Sequence, residues 1–175
     1  MNPTSPLYRS SKARIIIPAL ASMAAASCAN AQPPGSAAAE QAIRADYALL
    51  SRPSLQAVFA EQNALAAPDF QETTANGKVE NRAEYLEENR VAGNLLPLPG
   101  RLHLEVKGPT WRGSLAIFDV VGDTALPFDD RGQRHLGRQH FVSRDTWELV
   151  GKVWMTKSIV YSLENDWVDG KPVPE

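Results

Sequence analysis

Near residue 100 the spacing of apolar residues changes period, and this change constrains the fold more than any other feature of the 175-residue chain. Upstream, Ala39, Ile43, Tyr47 and Leu50 recur at i, i+4, i+8 and i+11, which predicts an amphipathic helix over 37–50. Downstream, Arg101-Leu102-His103-Leu104-Glu105-Val106-Lys107 alternates polar and apolar residues, as a strand does with one face buried and one wet. Helices first and strands afterwards predict an α+β domain, with N-terminal helices on one face of a curved antiparallel sheet.

Local signals divide the chain further. Ser51-Arg52-Pro53-Ser54 stops the first helix, because proline cannot continue a helix interior. Leu55, Val58, Phe59 and Gln62 outline a second, shorter helix, Phe70–Thr74 reads as a strand and Asn76-Gly77 as a turn. Asn81 and Glu84 have the spacing of a capping box and open a third helix that ends near Gly93. Ser114–Val121 is apolar on both faces, as in a strand covered on both sides. Gly122-Asp123 reads as a turn, and Pro127 marks an edge or a bulge in the short strand that follows. Two long strands, Arg138–Val150 and Lys152–Leu163, meet at Gly151. Trp111 and Trp167 fall in loop-like sequence, and the polar C-terminal tail is expected to be loose.

The first 31 residues are set apart by chemistry rather than period. Arg9, Lys12 and Arg14 precede an apolar stretch from Ile15 to Ala26, and Ala29-Asn30-Ala31 has the small-x-small form of a cleavage site. These are the parts of a secretory signal peptide. Cleavage after Ala31 would remove three of the 18 basic residues and none of the 20 acidic ones, taking the net charge from −2 to −5. Ala25-Ala26-Ser27-Cys28 offers an alternative, a loose lipobox in which Cys28 is acylated and becomes the mature N-terminus. We therefore expect a signal peptide over 1–31, a linker over 32–36 with Ser36 as a helix cap, and one domain over 37–175, periplasmic or secreted. Anchoring at Cys28 is the rival.

Composition excludes several classes of function. A net charge of −2 gives no electrostatic footprint for nucleic acid, and one cysteine allows no disulfide framework or thiolate cluster within the chain. No run of about 20 apolar residues is present to make a transmembrane segment. There is no P-loop, GxGxxG, GxSxG or HExxH pattern, so no cofactor is expected. His135 and His140 are five apart and point to opposite faces of a strand, while His103 alternates with leucines on a polar face. No metal site is expected from them.

The order of short motifs carries more information. Ala67-Pro68-Asp69-Phe70, Asn76-Gly77, Asn81-Arg82-Ala83-Glu84-Tyr85-Leu86, Gly122-Asp123-Thr124-Ala125, Arg144-Asp145-Thr146-Trp147 and Gly151-Lys152-Val153-Trp154 follow one another across 37–165. In that order they resemble the nuclear transport factor 2-like superfamily, in particular its SnoaL-like and ketosteroid-isomerase-like domains of unknown function. The resemblance implies a cone in which a bent sheet wraps a long helix and leaves an apolar cavity at its open end. It also implies a homodimer. Members of this superfamily include isomerases, dehydratases, cyclases and plain binding proteins, so the fold does not decide the function.

Ketosteroid isomerases set a tyrosine on the first helix, an aspartate base on the first strand and a second acid on the penultimate strand. Matched to that pattern, Thr74 stands where the base should be, and its hydroxyl is too weak to abstract a proton from carbon. Asp46 or Tyr47 falls at the tyrosine position, and Asp145 matches the second acid, with Trp147 at an aromatic pocket position. One match in three argues against steroid isomerisation. Asp145 shares a strand face with Phe141, Ser143, Trp147 and Leu149, where desolvation would raise its pKa. A neutral Asp145 could donate a hydrogen bond to a ligand carbonyl. Alternatively it pairs with Arg138 or Arg144. Glu72 is expected to face solvent beside the turn, and Lys157 to snorkel from an apolar register.

Two functions of different class follow. The first is a secreted domain whose apolar cavity binds a small hydrophobic ligand or a protein partner, with Tyr47, Thr74, Phe141, Ser143 and Trp147 lining it. The second is a cofactor-independent isomerase, lyase or cyclase that uses acid–base groups in the cavity, with Asp145 as the catalytic candidate. Two facing ionisable groups inside the cone would favour the second.

Overall fold

The computed structural model describes residues 36–51, 55–95, 100–130 and 132–173. The expected signal peptide, Cys28 and most of the linker lie outside these. Among the described residues the chain forms helices α1 (Ser36–Leu50), α2 (Leu55–Leu65) and α3 (Arg82–Leu95). Its strands are β1 (Ala66–Thr73), β2 (Val79–Asn81), β3 (Arg101–Arg112), β4 (Leu115–Asp130), β5 (Gln133–Val150), β6 (Val153–Val168) and β7 (Lys171–Pro172). They make one seven-stranded sheet in the order β2-β1-β6-β5-β4-β3, with β7 also on β6. This is the expected α+β cone, a curved sheet around N-terminal helices. No helix among the described residues is long and apolar enough to cross a membrane.

The apolar stripe of α1 is buried as its period predicts, at Ala39, Ile43, Tyr47 and Leu50. Arg44 ties the helix to β3 by donating to the carbonyls of Val106 and Gly108, and its guanidinium lies 5.6 Å from the centre of the Phe118 ring. The capping box forms. Asn81 Oδ1 accepts from the amides of Ala83 and Glu84 at 2.9 and 3.3 Å, and Glu84 Oε2 accepts from the amide of Asn81 at 2.9 Å. Two donors that the first turn of α3 would otherwise leave unpaired are thereby satisfied.

Several expectations need correction. The sheet is mixed, because β1 lies parallel to β6 while the other pairs are antiparallel. Gly122-Asp123 is not a turn. It lies inside the continuous strand β4, and Gly122 is there because the ring of Phe141 occupies the space of a side chain: a Cβ would sit 1.7 Å from Phe141 Cζ. Pro127 does sit on an edge, since among the described residues β3 pairs with β4 only as far as Ala125 and β5 alone flanks the stretch beyond. Trp111 and Trp167 belong to β3 and β6, not to loops. The tail turns at Asp169-Gly170 and pairs back on β6.

Curvature is concentrated beside the middle of β5. The β5–β6 register slips between Val142 and Ser143 and again between Thr146 and Trp147, so β6 inserts an extra residue on each side of the stretch that faces Asp145. Such bulges bend a strand and increase its twist. The inner face between them, with Phe118, Phe141, Trp147, Ile159 and Tyr161, forms the core beneath α1.

Candidate active site

Tyr47 and Asp145 meet at the centre of that core. The Tyr47 hydroxyl donates to Asp145 Oδ2 at 2.6 Å, and the Ser143 hydroxyl donates to Asp145 Oδ1 at 2.6 Å. Trp147 Nε1 in turn donates to the Tyr47 oxygen at 2.9 Å. All four side chains are buried, Asp145 with 1% of its surface exposed. Strand alternation supplies three of them, because 143, 145 and 147 point to one face of β5. The α1 stripe supplies Tyr47, whose ring packs edge-on against Phe118 at 5.6 Å and Trp147 at 5.4 Å.

Burial dominates the electrostatics. Desolvation raises the Asp145 pKa to about 7, even though the bonds from Ser143 and Tyr47 favour the charged form and pull it down. The Tyr47 hydroxyl is pushed well above its ordinary range, first by burial and then by the negative charge of Asp145. Among the described residues no arginine pairs with Asp145: Arg144 points to the other face and pairs with Asp119 at 2.9 Å.

A second carboxylate faces the same interior. Glu72 is wholly buried on β1, which overturns its expected place in solvent. Its register partner on β6 is Ile159, and Ile159 is also the register partner of Asp145 on β5. Glu72 and Asp145 therefore lie in one row, two strands apart, roughly 9–10 Å between their backbones. Tyr85 and Tyr161 lie close enough to both carboxyls for their own hydroxyls to be raised by them, after burial. Sequence reasoning missed Glu72 because a turn lies close by. The usable signal was alternation with Phe70, which puts Glu72 on the apolar face.

Of the other expected site residues, Phe141 shares this core without joining the hydrogen bonds, and Thr74 lies apart from it. Thr74 is buried but serves the turn: its hydroxyl donates to Asn76 Oδ1 at 2.7 Å and accepts from the Lys78 amide at 3.1 Å. Phe141 fills the core two residues before Ser143. Leu149 is 52% exposed, beyond the covered part of the face. Lys157 carries its ammonium to Asp69 and Glu148, in ion pairs at 2.5 and 3.0 Å. His140 bonds Asp123 and His135 bonds Asp169.

A cavity of about 1230 Å³ opens elsewhere, toward the Asp123–His140 end of the sheet. Gly100, Leu102, Thr124, Leu136, Gln139 and Trp167 are among the residues that line it. Neither Tyr47 nor Asp145 is among them.

Solved structures with this arrangement of helices and sheet exist. The chain superposes on a candidate scytalone dehydratase from Novosphingobium aromaticivorans DSM 12444 with a TM-score of 0.62 and 15% identity, covering 77% of this chain and 91% of that one. For an NTF2-like protein of unknown function from Pseudomonas putida KT2440 the TM-score is 0.50 and the identity 18%, over 73% and 87%. This chain has the nuclear transport factor 2-like fold. Another protein similar in fold is a hexachlorocyclohexane dehydrochlorinase, LinA-type3, from Novosphingobium barchaimii LL02, with a TM-score of 0.55 and 12% identity over 79% and 97%. No family model and no curated protein matches the sequence. At these identities the likeness is one of nuclear transport factor 2-like architecture alone.

Proposed function

We propose that the chain is a small cofactor-independent enzyme, an isomerase or lyase that moves a proton on an apolar carbonyl compound. The observation that carries this reading is the row of two buried carboxyl groups, Glu72 and Asp145, with Asp145 hydrogen-bonded to Tyr47. An acid and a base in different surroundings can hold different protonation states at one pH. Asp145, with its pKa raised to about 7, is protonated in a large share of molecules near neutral pH, and in that form it can donate to a carbonyl oxygen as that oxygen becomes negative. In this reading Glu72 is the base that takes the proton from the adjacent carbon. The freed electron pair moves onto the oxygen. Returning the proton at another carbon completes an isomerisation, and expelling a group from the next carbon completes an elimination.

The test is deuterium exchange. The full chain is incubated in D₂O with a panel of small apolar ketones and β-hydroxy ketones, and their α-protons are followed by NMR. Enzyme-dependent exchange that is lost in Glu72→Gln and Asp145→Asn is expected. Binding without exchange would leave the second reading, a non-catalytic carrier of small apolar ligands. That reading is favoured by the separation of the cavity from Asp145.

Export and self-association belong to the same proposal. Val121 and Val142 are register partners on the outer face, and Val160 lies beside Arg144 one row along, so half-buried aliphatic groups are available for a two-fold contact with a second copy. A monomer mass by light scattering at tens of micromolar would exclude that contact.

A further inference from the structure

Four outward-facing residues that line the cavity form one row across four strands. Arg101 on β3 is the register partner of Ala125 on β4, Ala125 of Arg138 on β5, and Arg138 of Trp167 on β6. Alternation decides their face: Leu102, Thr124 and Gln139, the next residues along, are buried on the inner side, while Arg101 and Arg138 are exposed. Ala125 carries only a methyl group, so the two arginines stand astride a low point in the sheet. Their backbones are roughly 9–10 Å apart, with one strand between. Leu136, two residues before Arg138 and on the same face, is 37% exposed and lies diagonal to the half-buried Trp167.

The charged groups of this cavity are unequally engaged. Asp123 Oδ1 lies 2.9 Å from His140 Nδ1, and Asp169 Oδ2 lies 2.7 Å from His135 Nδ1. Asp169 Oδ1 also accepts from the Leu136 amide at 2.9 Å. His103, exposed, is the register partner of Asp123 in the row beside the arginines. Arg101 and Arg138 take part in no ion pair among the described residues. Their setting separates them from ordinary solvated arginines, since each has a second guanidinium across a concave wall and an indole in the same row.

We infer that this trough binds an aromatic monocarboxylate, with the carboxylate held over Ala125 by Arg101 and Arg138 and the ring over Leu136 against Trp167. A guanidinium presents two parallel N–H donors that match the two oxygens of a carboxylate, and both bonds are charge-assisted. Trp167 and Leu136 supply the apolar area that a ring needs, and an apolar wall with a few convergent polar groups is the usual make-up of a small-molecule site. The charges select a monoanion. Asp123 and Asp169 stay on the same lining, so a dianion such as a phosphate monoester would bring a second negative charge to face them. The site is on the opposite face of the sheet from Asp145 and does not rest on the proposed chemistry.

The experiment follows the tryptophan indole signals of the ¹⁵N-labelled full chain at pH 8 while benzoate, benzamide, acetate and phenyl phosphate are added separately. Benzoate should shift the Trp167 signal saturably, leave Trp147 in place, and bind about tenfold tighter than each of the other three. Arg101→Gln and Arg138→Gln should each weaken benzoate about tenfold without changing benzamide, and Trp167→Leu should weaken both probes alike. The arginines are exposed, so their variants should melt with the parent. A readout on the parent alone is salt, which should weaken benzoate and spare benzamide. Equal binding of benzoate and benzamide overturns the inference, as does a shift confined to Trp147 or tighter binding of phenyl phosphate. Benzoate affinity that falls as protein concentration and the mass by light scattering rise would give the trough to a second copy, and overturns it too. None of these readouts involves Glu72 or Asp145, so failure here leaves the exchange experiment to decide the proposed chemistry by itself.

Discussion

The hydroxyl of Tyr47 stands between Asp145 and Trp147, donating to the first at 2.6 Å and accepting from the second at 2.9 Å. One oxygen thus joins a helix at the start of the domain to two positions on a strand about a hundred residues later. Neither Asp145 nor Trp147 has another route to water, since both are buried.

Removing that oxygen should be costly on both sides. Tyr47→Phe leaves Asp145 Oδ2 and Trp147 Nε1 each short of a partner in the core, a loss of about 1–3 kcal/mol. It also removes a bond that lowers the Asp145 pKa, so the carboxyl should titrate higher than about 7. Urea unfolding gives the first quantity and carboxyl ¹³C NMR the second. An unchanged Asp145 titration would show that Tyr47 does not donate to it in solution.

Stability should depend on pH through Asp145. Between the ordinary aspartate value of 3.8 and about 7, the folded protein keeps a proton that the unfolded chain has released. Stability from this group is therefore complete below about pH 4, falls as pH rises through the window, and levels off above it. The whole effect is on the order of 4 kcal/mol. Asp145→Asn abolishes the titration, so the variant should gain on the parent as pH rises. Parallel unfolding profiles for the two proteins would assign the pH dependence to other groups.

Gly122→Ala should be tolerated poorly for a residue in a strand, where alanine would ordinarily be harmless. The new Cβ meets the buried Phe141 ring at 1.7 Å, and overpacking of this kind costs about 1–3 kcal/mol. Phe141→Leu in the same chain should recover part of the loss. Thermal unfolding of the two single variants and the double variant measures the coupling, and strict additivity would mean that the two positions do not touch.

Processing is tested by mass. Protein exported from a bacterial host should begin at Gln32, as Arg9, Lys12, Arg14 and Ala29-Asn30-Ala31 lead us to expect. Membrane-bound material with acyl chains on Cys28 would establish the lipoprotein alternative instead.

The legible parts of the fold are those in which neighbouring residues decide the outcome. Alternation along 141–147 and the stripe at 39–50 are local patterns, and together they were enough to bring Ser143, Asp145, Trp147 and Tyr47 to a common interior. The capping box at Asn81 and Glu84 is local too. Glu72, by contrast, looks like a surface glutamate beside a turn until β6 covers it, and β6 comes more than eighty residues later. Gly122 looks like a turn because the reason for a glycine there, the Phe141 ring, is on another strand. Choosing Tyr47 over Asp46 likewise needed the packing of α1 against Phe118 and Trp147.

The parallel pairing of β1 with β6 has a consequence for how the chain is made. β1 leaves the ribosome more than eighty residues ahead of its neighbour in the sheet, residues 156–160. Until that late segment emerges, β1 lacks its partner on that side and Glu72 and Phe70 have no inner layer to join. Contacts this distant in sequence delay folding. A nascent chain therefore cannot complete its sheet until residues 156–160 have emerged, however early its helices form.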